Sequence, residues 1–432
     1  MLYITNFLLP LMGVLTALFL GAATYMTYQQ MKGIKGKPHS SEPNPNYSPF
    51  FYGNPVSPDQ FIGRQKEVRR LAGRIVSGQS SVITGTFRSG KTSILMYLMA
   101  PEKQFELYGD RGDSLIFSNL DANTLQTECE QTKFWERILE PLQQRIHTEA
   151  ANSSLAQAYQ LCQKNAFENR DLEKLIAQIK HINWQLVLMI DELEVLLDRP
   201  YLNNTEFLGG LRGLVSQSDG ALILVMTTNT SLTQLHQKTR PFTSGSPYFN
   251  FLDEIVLGSL SDSEVEELLD QGDTDFSDDD RRFIKEITGE HPYLLQVAAS
   301  ALWESYKNGD ENDPSKRQHQ AKQDFYDRTK ATLNNIFWQS WLPTTRKAFI
   351  AVALIRFETL RTSLKIQPID IKEIINEELG FKQALEELEK QGFVKDENGD
   401  WRVRPTIFLD FVADQPMQEL RKLFAKMTST NC

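Results

Sequence analysis

The chain has 432 residues, 41% hydrophobic and 24% charged, with a formal net charge of −10. That length implies two or three domains, the composition excludes wholesale disorder, and the acidic balance speaks against general nucleic-acid affinity, which needs Lys and Arg to displace phosphate counterions. Cys129, Cys162 and Cys432 are odd in number, far apart and without metal-ligand spacing, so they read as free thiols in a reducing compartment.

From Tyr3 to Tyr28 no residue is charged, and Leu, Phe, Ala, Met and Gly dominate. The run exceeds the ~20 residues a helix needs to cross the hydrocarbon. A signal peptide would place basic residues first and end at a small-x-small site. Gly21-Ala22-Ala23 offers small residues, but Lys32, Lys35 and Lys37 follow the run, as expected of a retained anchor with its C-terminal side in the cytoplasm. Residues 1–31 are therefore expected to be a transmembrane anchor, making the protein single-pass. Residues 32–57 are rich in Pro, Ser, Asn and Gly and read as a semi-extended linker. The apolar Phe50-Phe51-Tyr52 is expected to pack on the domain that comes next.

Ser80–Thr84 reads as a short buried strand, and the apolar Ser93–Met99 as a helix. Between them, Gly85-Thr86-Phe87-Arg88-Ser89-Gly90-Lys91-Thr92 matches G-x-x-x-x-G-K-[ST], with Ser93 opening the helix. In that context backbone N–H groups and the helix N-terminus cradle phosphates. Lys91 is expected to reach the β- and γ-phosphates of ATP, and the Thr92 hydroxyl to ligate Mg²⁺. Leu186–Ile190 is a continuous apolar run, typical of a parallel strand covered on both faces. It ends in Asp191, placed to hold Mg²⁺ through water, and Glu192, placed to polarise the attacking water; Glu194 is a rival for the second role. A third strand, Ala221–Thr227, leads to Asn229, an amide able to orient that water; an ordinary strand-ending turn is the plain alternative.

These residues resemble the STAND class of P-loop ATPases within the wider AAA+ group. Phe61-Ile62-Gly63-Arg64-Gln65-Lys66-Glu67 is similar to the F-[IV]-G-R-x-x-E box before the first strand, and the P-loop and Asp191-Glu192 come after it in order. Thr227-Thr228-Asn229 stands where many members carry T-T-R, Leu257–Ser261 leads into the lid, and Gly289-Glu290-His291-Pro292 resembles the G-x-P element. The resemblance implies that Gly63 and Arg64 line the nucleotide site and that Pro292 packs near the adenine. His291 reads as a packing or capping residue. An arginine from the same chain or a neighbouring subunit often completes such sites, and Arg212 and Arg240 are candidates.

Further on, Thr344–Phe357, Ile369–Leu379 and Phe381–Gln391 read as helices. Gly392–Lys395 and Trp401–Arg404 then form a hairpin about Asn398-Gly399. Three helices and a two-stranded wing resemble a winged-helix domain. Its third helix carries Glu386, Glu387 and Glu389 against Lys382 and Lys390, which disfavours a DNA groove and favours an intramolecular packing role.

The expected fold class is α/β: a three-layer parallel P-loop NTPase sheet over 58–260, a helical lid over 261–335 and a winged helix over 336–432. The expected function is a membrane-anchored ATP-hydrolysing switch, with a nucleotide-dependent homo-oligomer and an unknown protein partner for sensing. A DNA-remodelling or initiator-like ATPase, and a silent nucleotide-binding scaffold, are the alternatives.

Overall fold

The computed structural model describes residues 47–239, 247–271, 276–308, 313–364, 369–416 and 418–420. The expected anchor Tyr3–Tyr28, the linker up to residue 46 and Arg240 lie outside the described residues. Among those described, no helix is long and apolar enough to cross a membrane. The chain divides at Pro49/Phe50, and the body from Phe50 onward holds every helix and strand described here.

Five parallel strands form the central sheet: β1 (Ser81–Gly85), β2 (Leu115–Asp121), β3 (Gln185–Asp191), β4 (Leu222–Thr228) and β5 (Asp253–Leu257), in the order β2-β3-β4-β1-β5. The expected strands are present, and β2 and β5 add to them. Alternate residues of β3 point to opposite faces. Leu186, Leu188 and Ile190 enter one core, with α4 (Gln131–Ile138), α5 (Glu140–Glu149), α6 (Ser154–Lys164), α7 (Asn169–His181), α8 (Leu193–Leu197) and α9 (Thr205–Gln217). Val187 and Met189 enter the other, against α1 (Gln65–Val76), α2 (Lys91–Met99) and the short α3 (Gln104–Tyr108). Helix α1 buries Val68, Leu71, Ala72 and Ile75, an i, i+3, i+4, i+7 stripe. Cys129 and Cys162 are free and buried on the α4–α9 side.

Register decides where chemistry collects. Asp121 pairs with Asp191, Ile190 with Met226, and Thr84 with Thr228. The carboxyl ends of four strands therefore share one edge, where open α/β sheets bind ligands.

After β4 comes α10 (Leu232–Thr239), and β5 then leads to a helical region. Helix α11 (Asp262–Leu269) starts with a capping box in which Ser261 and Glu264 satisfy each other's end of the turn. Helices α12 (Asp278–Thr288), α13 (Pro292–Asn308) and α14 (Pro314–Thr332) come next, and α14 runs into a π-helical stretch, Leu333–Trp338. Every residue of α13 from Tyr293 to Trp303 is buried, so this helix forms the centre of its region.

The C-terminal part contains α15 (Pro343–Arg356), α16 (Glu358–Leu364), α17 (Ile371–Glu377), α18 (Phe381–Lys390), the hairpin β6 (Val394–Glu397) and β7 (Asp400–Val403), and α19 (Ile407–Ala413). Asn398 and Gly399, both at positive φ, make the two-residue turn. Its Phe393 and Phe408 join Leu294, Leu302 and Phe325 of α13 and α14 in one continuous core.

Candidate nucleotide-binding site

The loop from Gly85 to Lys91 leaves β1 and enters α2. Arg88 (φ 61°) and Gly90 (φ 96°) adopt left-handed backbone, which bends the loop over the start of the helix. A Cβ on Gly85 would sit 2.6 Å from Ser89 Oγ and 3.1 Å from the Leu257 carbonyl oxygen, so the loop leaves little room for a side chain there. The Lys91 ammonium is buried and donates to the carbonyls of Gly85 and Thr86, each at 2.9 Å. Burial pushes its pKa down, against the field of Glu194, Asp191 and Glu192. A buried cation whose hydrogen bonds go to neutral carbonyls is poised for an anionic ligand.

Across from it, Asp191 Oδ2 accepts from Thr92 Oγ1 at 2.7 Å, and its Oδ1 accepts from Thr227 Oγ1. Thr227 Oγ1 also accepts from the Glu192 amide at 3.0 Å. Glu192 comes next with left-handed backbone (φ 60°, ψ 62°), a conformation that costs a non-glycine residue on the order of 1 kcal/mol or more. Its carboxylate accepts from Asn123 Nδ2, just past β2, at 2.5 Å. Burial raises the Glu192 pKa, as do Glu194, Asp191 and Asp121, while the Asn123 bond opposes the rise. Glu194 is buried; one oxygen accepts from the Asn229 amide at 3.1 Å and the other has no partner.

Arg64 is buried with left-handed backbone, and its guanidinium reaches the carbonyls of Gly258 (2.5 Å) and Ser259 (3.4 Å). Its amide donates to Glu264, and its Nε has no partner. Burial lowers its pKa. The adjacent Gly63 (φ 74°) lies against the Glu264 side chain. The box thus ties β5's exit and the start of α11 to the site.

A cavity of about 330 Å³ opens above these groups. Arg64, Phe87, Arg88, Ser89, Gly90, Lys91, Thr92, Ser93, Asp191, Glu192 and Pro292 all line it, as does the segment Phe51–Val56. Gly63, Gly85 and Thr86, also expected at the nucleotide, do not line it. Asn229 lines a second cavity, of about 70 Å³, with Thr86, Phe337, Trp341 and Glu387. Arg212 lines neither; its Nη1 donates to the Pro247 carbonyl at 3.4 Å.

The donor set fits a magnesium nucleotide. A hydroxyl and a carboxylate face each other at Thr92 and Asp191, beside a buried ammonium. Among the described residues no group of three or more His, Cys, Asp or Glu could hold a metal. Mg²⁺ here would therefore take most of its ligands from phosphate and water, its usual habit.

Three contacts lie beyond the reach of sequence. Asn123 reaches Glu192 across 69 residues. Thr227, which sequence marks only as part of a motif, anchors both Asp191 and Glu192. His291 is fully buried, bonds Thr86 Oγ1 through Nε2 at 3.1 Å and packs on Phe337 and Phe393. Burial, then Arg64 and Lys91, push its pKa down to about 3, so the ring is neutral. It links the P-loop to the C-terminal core rather than merely filling space.

The fold is similar to that of a Walker-type ATPase of Pyrococcus abyssi, at 14% identity and a TM-score of 0.53, over 84% of this chain and 99% of that one. The ORC2 protein of Aeropyrum pernix, solved as ADPNP–ADP complexes, aligns at 14% identity and a TM-score of 0.48, over 85% of this chain and 97% of that one. No curated protein matches in sequence. The family model for the AAA-like domain matches residues 57–312, more than half of the chain. That span starts before the Gly63-Arg64 box and ends past α13, so it takes in every group that lines the cavity except the Phe51–Val56 segment. The protein belongs to the AAA-like domain family.

Proposed function

We propose that this protein is a membrane-anchored switch of the STAND type that binds ATP with Mg²⁺ and hydrolyses it. One observation carries the reading: Lys91, the Thr92–Asp191 pair and Glu192 converge on a single cavity closed on its far side by Pro292 and Gln296 of α13. The P-loop amides and Lys91 hold the β- and γ-phosphates. Thr92 and Asp191 would hold Mg²⁺, which would neutralise charge on the phosphates. Glu192 takes a proton from water as the water oxygen bonds to the γ-phosphorus and the bond to ADP breaks. Asn123 holds one carboxylate oxygen of Glu192 and leaves the other to accept the proton.

Helices α15, α17 and α18 with the hairpin are read as a winged helix that packs on the ATPase domain. Glu387 of α18 accepts from Ser231 and Gln234, each at 3.3 Å, at the tip of β4. A carboxylate-rich helix docked in this way supports a reporter of nucleotide state over a reader of DNA. Residues 1–31 anchor the chain with the ATPase domain in the cytoplasm, and ATP favours a homo-oligomer completed by an arginine such as Arg212. Sensing falls to another protein, in signalling or defence.

The test is nucleotide binding and turnover by the detergent-solubilised full-length protein, beside Lys91→Ala. The variant should lose binding by ~100-fold or more, consistent with one buried charged contact to phosphate; equal binding would remove the reading. Extraction of the full-length protein from membranes without detergent would remove the anchor.

A further inference from the structure

The C-terminal end of the linker, Phe50–Val56, has no helix or strand of its own, yet side chains of two regions hold it. Phe50 is buried in the core of the helical region and stacks on Phe276, ring centroids 6.0 Å apart. The Phe51 amide donates to Gln296 Oε1 on α13 at 3.0 Å. The Tyr52 hydroxyl accepts from Arg328 on α14 at 3.1 Å. The Gly53 carbonyl then accepts from Arg88 in the P-loop at 3.4 Å, and the Val56 amide donates to Ser93 Oγ on α2 at 3.2 Å. Within seven residues the chain crosses from the helical region to the P-loop, and Phe51 to Val56 all line the cavity on the way. At the same crossing Arg88 lies over the Tyr293 ring, 4.5 Å from its centroid.

We propose that Phe50–Val56 is a strap that completes the nucleotide site, spanning it from α13 to α2, so that nucleotide and strap hold each other in place. The proposal rests on the cavity being the nucleotide site. The Phe51 amide, the Gly53 carbonyl and the Val56 amide meet side chains of two different regions, so separating α13 from the P-loop strips the strap of partners on one side. A nucleotide filling the cavity touches both regions and the strap between them, and keeps the partners in reach. Linkage makes the effect reciprocal: displacing the strap lowers nucleotide affinity by the same factor by which nucleotide favours the seated strap. The strap continues N-terminally into the linker and the apolar Tyr3–Tyr28 run.

Hydrogen exchange on the full-length protein in detergent tests this, with and without saturating Mg²⁺ and a non-hydrolysable ATP analogue. Two peptides are tracked, one over residues 50–60 and one over 85–93. Both should exchange more slowly with nucleotide, the Phe51 and Val56 amides by about fivefold or more, the size of one net hydrogen bond. Protection of 85–93 with no change at Phe51 and Val56 overturns the strap while leaving the nucleotide site standing. No protection at 85–93 overturns the nucleotide reading and the strap with it. Gln296→Leu removes the acceptor for the Phe51 amide at similar size. It should speed exchange at Phe51 and raise the nucleotide Kd about fivefold. Faster exchange at Phe51 with unchanged Kd would overturn the coupling.

Discussion

At the residue scale, Glu192 and His291 carry the account, and both are shaped by burial. Glu192 must be ionised to accept a proton, and burial with three neighbouring carboxylates holds its pKa above the usual range. Turnover should therefore fall on the acidic side at a pH above that of an ordinary carboxylate. Asn123 donates to the ionised form, so Asn123→Ala should move that acidic limb to higher pH. A pH–rate profile whose limb stays put or moves down contradicts the assignment. His291 titrates near 3 when folded and near 6.5 when unfolded. Below about 6.5 the unfolded chain binds a proton that the folded chain refuses, so stability falls as pH drops, by ~1.4 kcal/mol per unit for this one group. Between pH 7 and pH 5 that amounts to ~2 kcal/mol, and His291→Gln should remove it from the difference in urea midpoints. An undiminished difference would assign the acid sensitivity elsewhere. Lys91, Thr92 and Asp191 are legible in the sequence because a fixed loop spacing and a strand end place them. Asn123 is not, because its partner lies 69 residues away and nothing local marks it; His291 is legible as a packing residue, but its bond to Thr86, 205 residues away, is not.

At the scale of elements, β3 and β4 are plain because a strand buried on both faces must be apolar throughout. Strand β2 carries Ser118 and Asn119 in its middle, and Ser118 is satisfied only by the Ile138 carbonyl at the end of α4. The edge strand β5 begins with Asp253 and Glu254, and Asp253 pairs with Arg70 of α1 at 2.6 Å. Polar residues with distant partners hide both strands. The Asn398-Gly399 turn is legible because few residues accept two successive positive φ angles. Helix α19 buries Ile407, Phe408, Phe411 and Val412, a helical stripe that the sequence expectation of three helices and a hairpin leaves out. The join between α12, α13 and the hairpin depends on Gly289, whose φ is +56° and whose added Cβ would lie 2.6 Å from the Pro405 nitrogen. Beside it Glu290 pairs with Arg404 at 2.5 Å. Gly289→Ala should cost ~2–3 kcal/mol through strain and displacement of the hairpin. Thermal unfolding checks this, and an unchanged Tm would mean the hairpin is not seated here.

At the scale of the molecule, two cores sandwich the sheet and a third runs from the helical region into the C-terminal part. Phe337, Trp341, Phe349, Phe393 and Phe408 touch one another with ring centroids 5.0–5.8 Å apart across that join. The two regions should therefore exchange hydrogen as one cooperative unit, α13 and α18 opening with similar free energies. Clearly separate opening energies for the two helices would contradict the shared core. Sequence places these regions in order but does not show that their apolar faces meet. A helical stripe shows that a face is buried, not which neighbour buries it. His291 stands at the P-loop end of that core, bonded to Thr86 and packed on Phe393 beside the hairpin.

The central claim is that the cavity over Lys91 is a hydrolytic ATP site with Glu192 as its base. Single-turnover hydrolysis of ATP by the full-length protein and by Glu192→Gln, with nucleotide affinity measured on both, tests it most directly. The account predicts measurable turnover in the parent, a loss of ~100-fold or more in the variant, and near-equal affinity in the two. Equal turnover in the two proteins, or none in a parent that binds ATP, would contradict it.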